Sequence, residues 1–269
     1  MRLSSIVKST VFAAAATVLG ATAAFAGPWG SGGITTTAEQ SYESLVLQNG
    51  DKLNGIFNVT QITNATGIPY NYGGGGVYLV GAFTGFTLAG SDPISGGTRL
   101  YFTGGALNYY SFASDPFAGG ALTSGTPANQ AADIATIQGG TLELSLTPES
   151  IFNATTCPVA GCTLYIDVFG GLNNFAAAST STVFLDITGG ASAGLFQQDA
   201  ILNTTSGALA DASYQGSANS QQCGAFPAWQ VCGTNHATFN VIPEPITVSL
   251  FGAGLAGVAA MRRRKAKKA

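Results

Sequence analysis

The sequence predicts an all-β protein, an antiparallel β-sandwich of jelly-roll or Ig-like topology, preceded by a signal peptide and followed by a single C-terminal hydrophobic helix. Three observations carry that expectation. Short β-branched and aromatic runs alternate with period two, and Gly, Ser, Thr, Ala and Asn fill the breaks between them with almost no helix signal. Both ends of the chain depart from this composition. The organisation that follows is a signal peptide over 1–26, an exported domain over 27–242 and a tail over 243–269.

The strands follow from alternation. TLELSLT (Thr141 to Thr147) sets Leu142, Leu144 and Leu146 against Glu143 and Ser145. TLYIDVF sets Leu164, Ile166 and Val168 against Tyr165 and Asp167, and TVFLDIT sets Val183, Leu185 and Ile187 against Asp186. Such runs bury one face and wet the other. Further strands are expected at SLVLQ near Leu45, GIFNVTQI near Phe57, VYLVGAF near Leu79, TRLYFTG near Leu100, ALNYYSF near Tyr109 and ATFNVI near Phe239. No βαβ rhythm is present, which argues against a parallel α/β sheet. Ala113 to Gly140 reads as a long surface loop with a helical turn around Gln130 to Ile137, and QQDAILNTT reads as a short helix. SDPISGG at Ser91 is echoed by SDPFAGG at Ser114, a similarity that Gly/Ser-rich composition explains better than a duplicated hairpin.

The N-terminus has the order of a secretory signal. Arg2 and Lys8 give a positive region, VFAAAATVLG an apolar one, and Ala24-Phe25-Ala26 the small-x-small pattern of signal peptidase, placing the first mature residue at Gly27. Export through the Sec translocon is the implied route. Between Gly27 and Ile242 only Lys52 and Arg99 are basic, against twelve Asp and Glu, so the body is strongly acidic. A polyanion is bound through Lys and Arg, so nucleic acid is excluded as a partner.

Four cysteines in an exported chain read as disulfides. Cys157–Cys162 and Cys223–Cys232 are the simplest pairing, although sequence alone permits three. A four-cysteine zinc site is disfavoured, because these spacings are C-x4-C and C-x8-C instead of C-x2-C. No metal or cofactor is expected.

The tail reads VIPEPITVSLFGAGLAGVAAMRRRKAKKA. Ile246 to Met261 is uncharged and would span ~24 Å as a helix, short of the ~30 Å hydrocarbon core. Arg262, Arg263, Arg264, Lys265, Lys267 and Lys268 would hold its end on the cytoplasmic side, giving a temporary anchor in the inner membrane. Pro243, Glu244 and Pro245 precede it as an extended segment. These three parts, in this order, resemble the PEP-CTERM sorting signal of exported proteins of Gram-negative bacteria that make extracellular polysaccharide. The resemblance covers about the last 27 residues. It implies processing by exosortase at or near Pro243-Glu244-Pro245, with release to the cell surface or exopolysaccharide matrix. It also suggests a structural or adhesive role there, in biofilm or floc.

Catalysis finds less support. Gly190-Ala191-Ser192-Ala193-Gly194 spells G-x-S-x-G after a strand, and Asp199 or Asp211 and then His236 follow in hydrolase order. That motif requires a strand-to-helix turn in a mostly parallel sheet, which this chain lacks, so a non-enzymatic body is expected. A secreted hydrolase or a carbohydrate-binding module is the alternative. His236 reads as structural, Gly73 to Gly76 as a turn without a phosphate loop's Lys, and Asp167, Asp186 and Glu143 as solvated carboxylates. Tyr70, Tyr72, Tyr78, Tyr101, Tyr109 and Tyr110 could stack on sugar rings, but read more simply as strand residues filling the core. Four N-x-T triplets at Asn58, Asn64, Asn153 and Asn203 follow from composition.

Overall fold

The computed structural model describes residues 28–30, 32–118, 129–170, 178–219 and 229–242. Ala24, Ala26, Gly27, Cys223 and the whole tail, including Pro243 to Pro245 and the basic residues Arg262 to Lys268, lie outside the described residues.

Ten strands join in one antiparallel sheet: β1 (Gly33–Glu43), β2 (Lys52–Asn64), β3 (Gly67–Asn71), β4 (Tyr78–Ile94), β5 (Gly97–Phe112), β6 (Thr141–Pro148), β7 (Cys162–Phe169), β8 (Ala178–Gly189), β11 (Ala212–Asn219) and β12 (Val231–Val241). The short strands β9 (Ile201–Leu202) and β10 (Leu209–Ala210) pair only with each other. The pairing does not stop at an edge. β1 bonds to β12 on one side, from Gly33↔Val241 to Glu43↔Val231, and to β2 on the other, from Thr35↔Asn64 to Glu43↔Gly55. The sheet therefore closes through β1, β2, β4, β5, β8, β11 and β12, with β6 and β7 end to end between β5 and β8. The all-antiparallel expectation holds. Two separate stacked sheets are not seen, because β1 supplies hydrogen bonds to both neighbours and joins what would have been two edges into a barrel.

The alternating runs face as expected except at Leu142, which is exposed at the start of β6. Leu144, Leu146, Leu164, Ile166, Val183 and Leu185 point into one core with Phe57, Val59, Leu79, Phe83, Phe102 and Phe239. Glycine makes room for the large rings. A Cβ on Gly81 would lie 2.0 Å from the Phe57 ring, and one on Gly55 would lie 2.1 Å from the Phe83 ring. Each aromatic side chain thus lies across the bare backbone of the neighbouring strand.

Two smaller clusters cover the outside of the barrel. Helix α1 (Gln130–Gln138), where a helical turn was expected, packs Ile137 with Ile56, Val80, Tyr110 and Trp229. The Trp229 indole donates to Asp133 Oδ2 at 3.0 Å, so this buried carboxylate is partnered. On another face the Cys157–Cys162 disulfide packs with Tyr101, Phe152 and Tyr165.

Other expectations change. SLVLQ is the connection after β1, and the strand itself is the preceding GITTTAEQSYE. TRLYFTG and ALNYYSF are halves of the single strand β5, whose Gly97–Thr103 part pairs with β7 and Leu107–Ser111 part with β6. QQDAILNTT forms no helix: Asp199 has a positive φ of 50°, and Ile201–Leu202 is β9. The Ser91 echo is also not a duplicated hairpin, since Ser91 to Ile94 ends β4 whereas Ser114 lies in the segment after β5.

Candidate functional site

β1 is polar on the face it turns inward. Thr35, Thr37, Glu39 and Ser41 are all buried, at the seam where β1 meets β2 and β12. Glu39 is 3% exposed, and its Oε1 accepts from Thr37 Oγ1 at 2.6 Å and from the Tyr109 hydroxyl at 2.7 Å. Burial pushes its carboxyl up to about 7, outweighing the hydrogen bonds that favour the charged form. The Tyr214 hydroxyl, which has no other hydrogen-bond partner among the described residues, also faces this carboxyl, and its own ionisation is pushed well up by burial and by the nearby Glu39 charge.

Glu43 lies four residues, two repeats of the pleat, further along β1 and accepts from Ser41 Oγ at 2.8 Å. Its carboxyl is also raised, chiefly by desolvation. It reaches a cavity of about 30 Å³ that is otherwise lined by apolar side chains, by Ser181 and by Tyr214. Sequence reasoning missed both acids, because a Glu in a polar strand carries no sign of burial.

The residues singled out from sequence meet only in part, Ser192 with Glu143 and Asp199 with Asp211. Ser192 donates to Glu143 Oε2 at 2.6 Å, and Glu143 Oε1 accepts from Ser111 at 2.7 Å. Asp211 spends both carboxylate oxygens on backbone amides, those of Ile187 and Asp199. His236 sits exposed on β12 opposite Gln215. Asp167 is bonded to Arg99, with Nε to Oδ1 at 2.6 Å, and Asp186 lies beside Glu149, whose carboxyl burial and that neighbour raise to about 7. Among the described residues no group of three His, Cys, Asp or Glu side chains is placed to hold a metal ion. Tyr70, Tyr101, Tyr109 and Tyr110 are buried, and the partly buried Tyr72 and Tyr78 stack edge-on against each other, so the six tyrosines form no exposed platform.

The disulfide expectation is met at Cys157–Cys162, with Cα atoms 6.2 Å apart. Cys232 is disulfide-bonded as well, and its expected partner Cys223 lies outside the described residues. Three of the N-x-T triplets have a local reason. Asn64, Asn153 and Asn203 each accept with Oδ1 from the amide two residues on, at 2.9, 3.1 and 3.0 Å, so the triplets build turns.

The G-x-S-x-G segment has a structural task of its own. Gly190, at φ 107°, passes so close to β6 that a Cβ would lie 2.3 Å from the Glu143 carbonyl. The chain then runs back along the end of β12: Gln197 N donates to Asn240 O at 2.7 Å, Phe196 bridges Val241, and Ile242 N donates to Leu195 O at 2.7 Å. The barrel is thus hydrogen-bonded up to Ile242, immediately before Pro243. The structure defines a closed antiparallel barrel whose last strand, β12, ends at Val241, two residues before Pro243 in the sequence.

A family model described as the PEP-CTERM protein-sorting motif matches residues 241–265. The chain carries this sorting motif, which marks it as an exported protein processed by exosortase, held transiently in the membrane and sorted to the cell surface. No curated protein and no solved structure matches the chain.

Proposed function

We propose that the protein is a non-catalytic exported barrel, which exosortase cleaves at or near Pro243-Glu244-Pro245. It is delivered to the surface or exopolysaccharide matrix of a Gram-negative bacterium and serves there as a structural or adhesive component of biofilm or floc. The observation that carries this reading is the sorting-motif match at 241–265, directly abutting the last strand of the barrel. The non-catalytic part is supported by the Ser192 hydroxyl, which is given to Glu143, and by Asp211, which is given to backbone amides. Fractionation tests the route. The full chain should reach the surface and matrix fractions only in cells with exosortase, and a chain truncated after Ile242 should be lost to the periplasm or medium. Purified body should then co-sediment with the cells' own polysaccharide without shortening it. Surface delivery independent of exosortase, or depolymerisation of the polysaccharide, would overturn the reading.

A further inference from the structure

Three large apolar side chains left open to solvent gather at one end of the barrel. Ile34 is 63% exposed, Ile68 55% and Ile242 46%. Ile34 is the second residue of β1, Ile68 the second of β3, and Ile242 follows the last strand. Register brings them together. Ile34 pairs with Asn240, so Ile242 is its diagonal neighbour, about 7–8 Å away. Thr35 and Val241 are buried between them and turn inward, which leaves both isoleucines on the outer face. Thr35 also pairs with Asn64, and Asn64 with Gly67, which sets Ile68 two strands from Ile34, roughly 10 Å. Ala65 and Pro69 beside it are exposed as well. The patch thus crosses β12, β1, β2 and β3 at the end from which the chain leaves the barrel.

Charge avoids this side. The segments from Gly27 to Ala38, Leu53 to Ser91 and Ala237 to Ile242 contain no Asp, Glu, Lys, Arg or His. Glu43, Asp51, Asp92 and Asp167 stand towards the opposite end, where β1 and β7 finish and the β4–β5 hairpin turns. The acids nearer the exit, Asp115, Glu143, Asp199 and Asp211, belong to the other side of the circuit, on β6 and on the connections that follow β5 and β8. The chain beyond Ile242 says what lies beside the patch. Four steps lead from Ile242 to Ile246, where the uncharged stretch to Met261 begins, and fully extended they reach roughly 14 Å. A tail held in the membrane therefore keeps the exit end of the barrel within that distance of the lipid.

We propose that Ile34, Ile68 and Ile242 form a lipid-docking surface, on which the barrel rests against the bilayer while the tail holds the chain. Apolar side chains seated in this way enter the boundary between headgroups and acyl chains to a depth of about 5–10 Å. The uncharged side meets anionic headgroups without repulsion, and the acidic opposite end is turned to solvent. The tether keeps the patch at high local concentration beside the lipid, so a small apolar contact without any cation is sufficient. Removal of the tail takes the tether away, and the patch alone is too weak to retain the body. The proposal rests on the membrane-held tail, and its test separates the two.

The test uses the mature full chain, tail in place, in vesicles of phosphatidylethanolamine and phosphatidylglycerol with either brominated or ordinary acyl chains. Bromine quenches an indole that enters the acyl boundary. The indole introduced by Ile68→Trp, or by Ile34→Trp, should emit about twofold less in the brominated vesicles. The one introduced by Leu47→Trp, exposed at the opposite end, should be unchanged. Trp29 and Trp229 are buried and common to every chain, so they cancel from the comparison. Adding Ile34→Asp to Ile68→Trp should restore about half of the lost emission while the chain still floats with the vesicles. Chains that float with all introduced indoles equally bright would overturn the docking and leave the membrane-held tail standing. Chains that do not float would overturn both. An Ile68→Trp indole that stays bright yet is shielded from aqueous acrylamide would assign the patch to a protein partner, such as a second copy, and overturn the proposal.

Discussion

The two halves of the barrel are built on different physics. Around the termini, Trp29 is fully buried among Tyr109, Phe196 and Phe239, and their rings meet edge to face. In the far half, the wall carries Glu43 and Ser181, and a cavity remains. Close packing gives the first half its stability. The second half holds Glu43 at the cavity, and Glu39, bonded to Tyr109, lies between the two halves; neither acid has a cationic partner there. The solid half is the one that carries the exit to the sorting motif, so the chain is held firmly up to Ile242.

Substitutions can break this contrast. Trp29→Ala should show the largest effect, a loss of about 3–5 kcal/mol in chemical denaturation, because a packed aromatic leaves a void that its neighbours cannot fill. Leu53→Ala, beside an existing cavity, should cost about 2 kcal/mol, the low end for such changes. Equal losses at the two positions would remove the distinction between the halves.

Glu39 sharpens the contrast through pH. Its carboxyl ionises near 4.5 when unfolded and is raised to about 7 in the fold. The folded chain therefore holds a proton that the unfolded chain has lost, and this contribution is complete below about 4.5 and lost as pH rises through about 7. Glu39→Gln should flatten that decline and stabilise the protein above pH 8 by up to about 3 kcal/mol. Urea melts of both proteins across pH 5 to 9 would read it directly. A wild-type protein that is no less stable at pH 8 than at pH 5 would contradict the burial of an uncompensated acid.

Smaller effects are expected at the edges. Gly190→Ala places a Cβ against the Glu143 carbonyl at a positive φ and should cost about 1–3 kcal/mol, measured by thermal melting. Reducing the Cys157–Cys162 loop should cost about 2 kcal/mol, since the closed loop is short. His236→Ala, on an exposed strand position, should change stability by less than about 0.5 kcal/mol.

What the sequence discloses follows the same division. β6, β7 and β8 are legible because apolar residues alternate with polar ones, and Leu144, Leu164 and Leu185 fall where that pattern puts them. β1 is not legible, because Thr35, Thr37, Glu39 and Ser41 turn inward and give no apolar period. β11 is missed for a related reason: Ala212 and Ala218 are buried but small, and Gly216 has no side chain to mark a face. Closure of the sheet depends on β1 meeting β12 from the far end of the chain, a pairing that local pattern cannot reveal. The sorting tail was readable because its parts are consecutive, while the acids of the interior meet only in the fold.

The intact mass of the protein from native cells and medium, with and without exosortase, tests the central claim most directly. The account predicts a product that begins at Gly27 and ends near Pro243, seen only when exosortase is present. A chain that keeps its tail through Ala269 in both strains would contradict it.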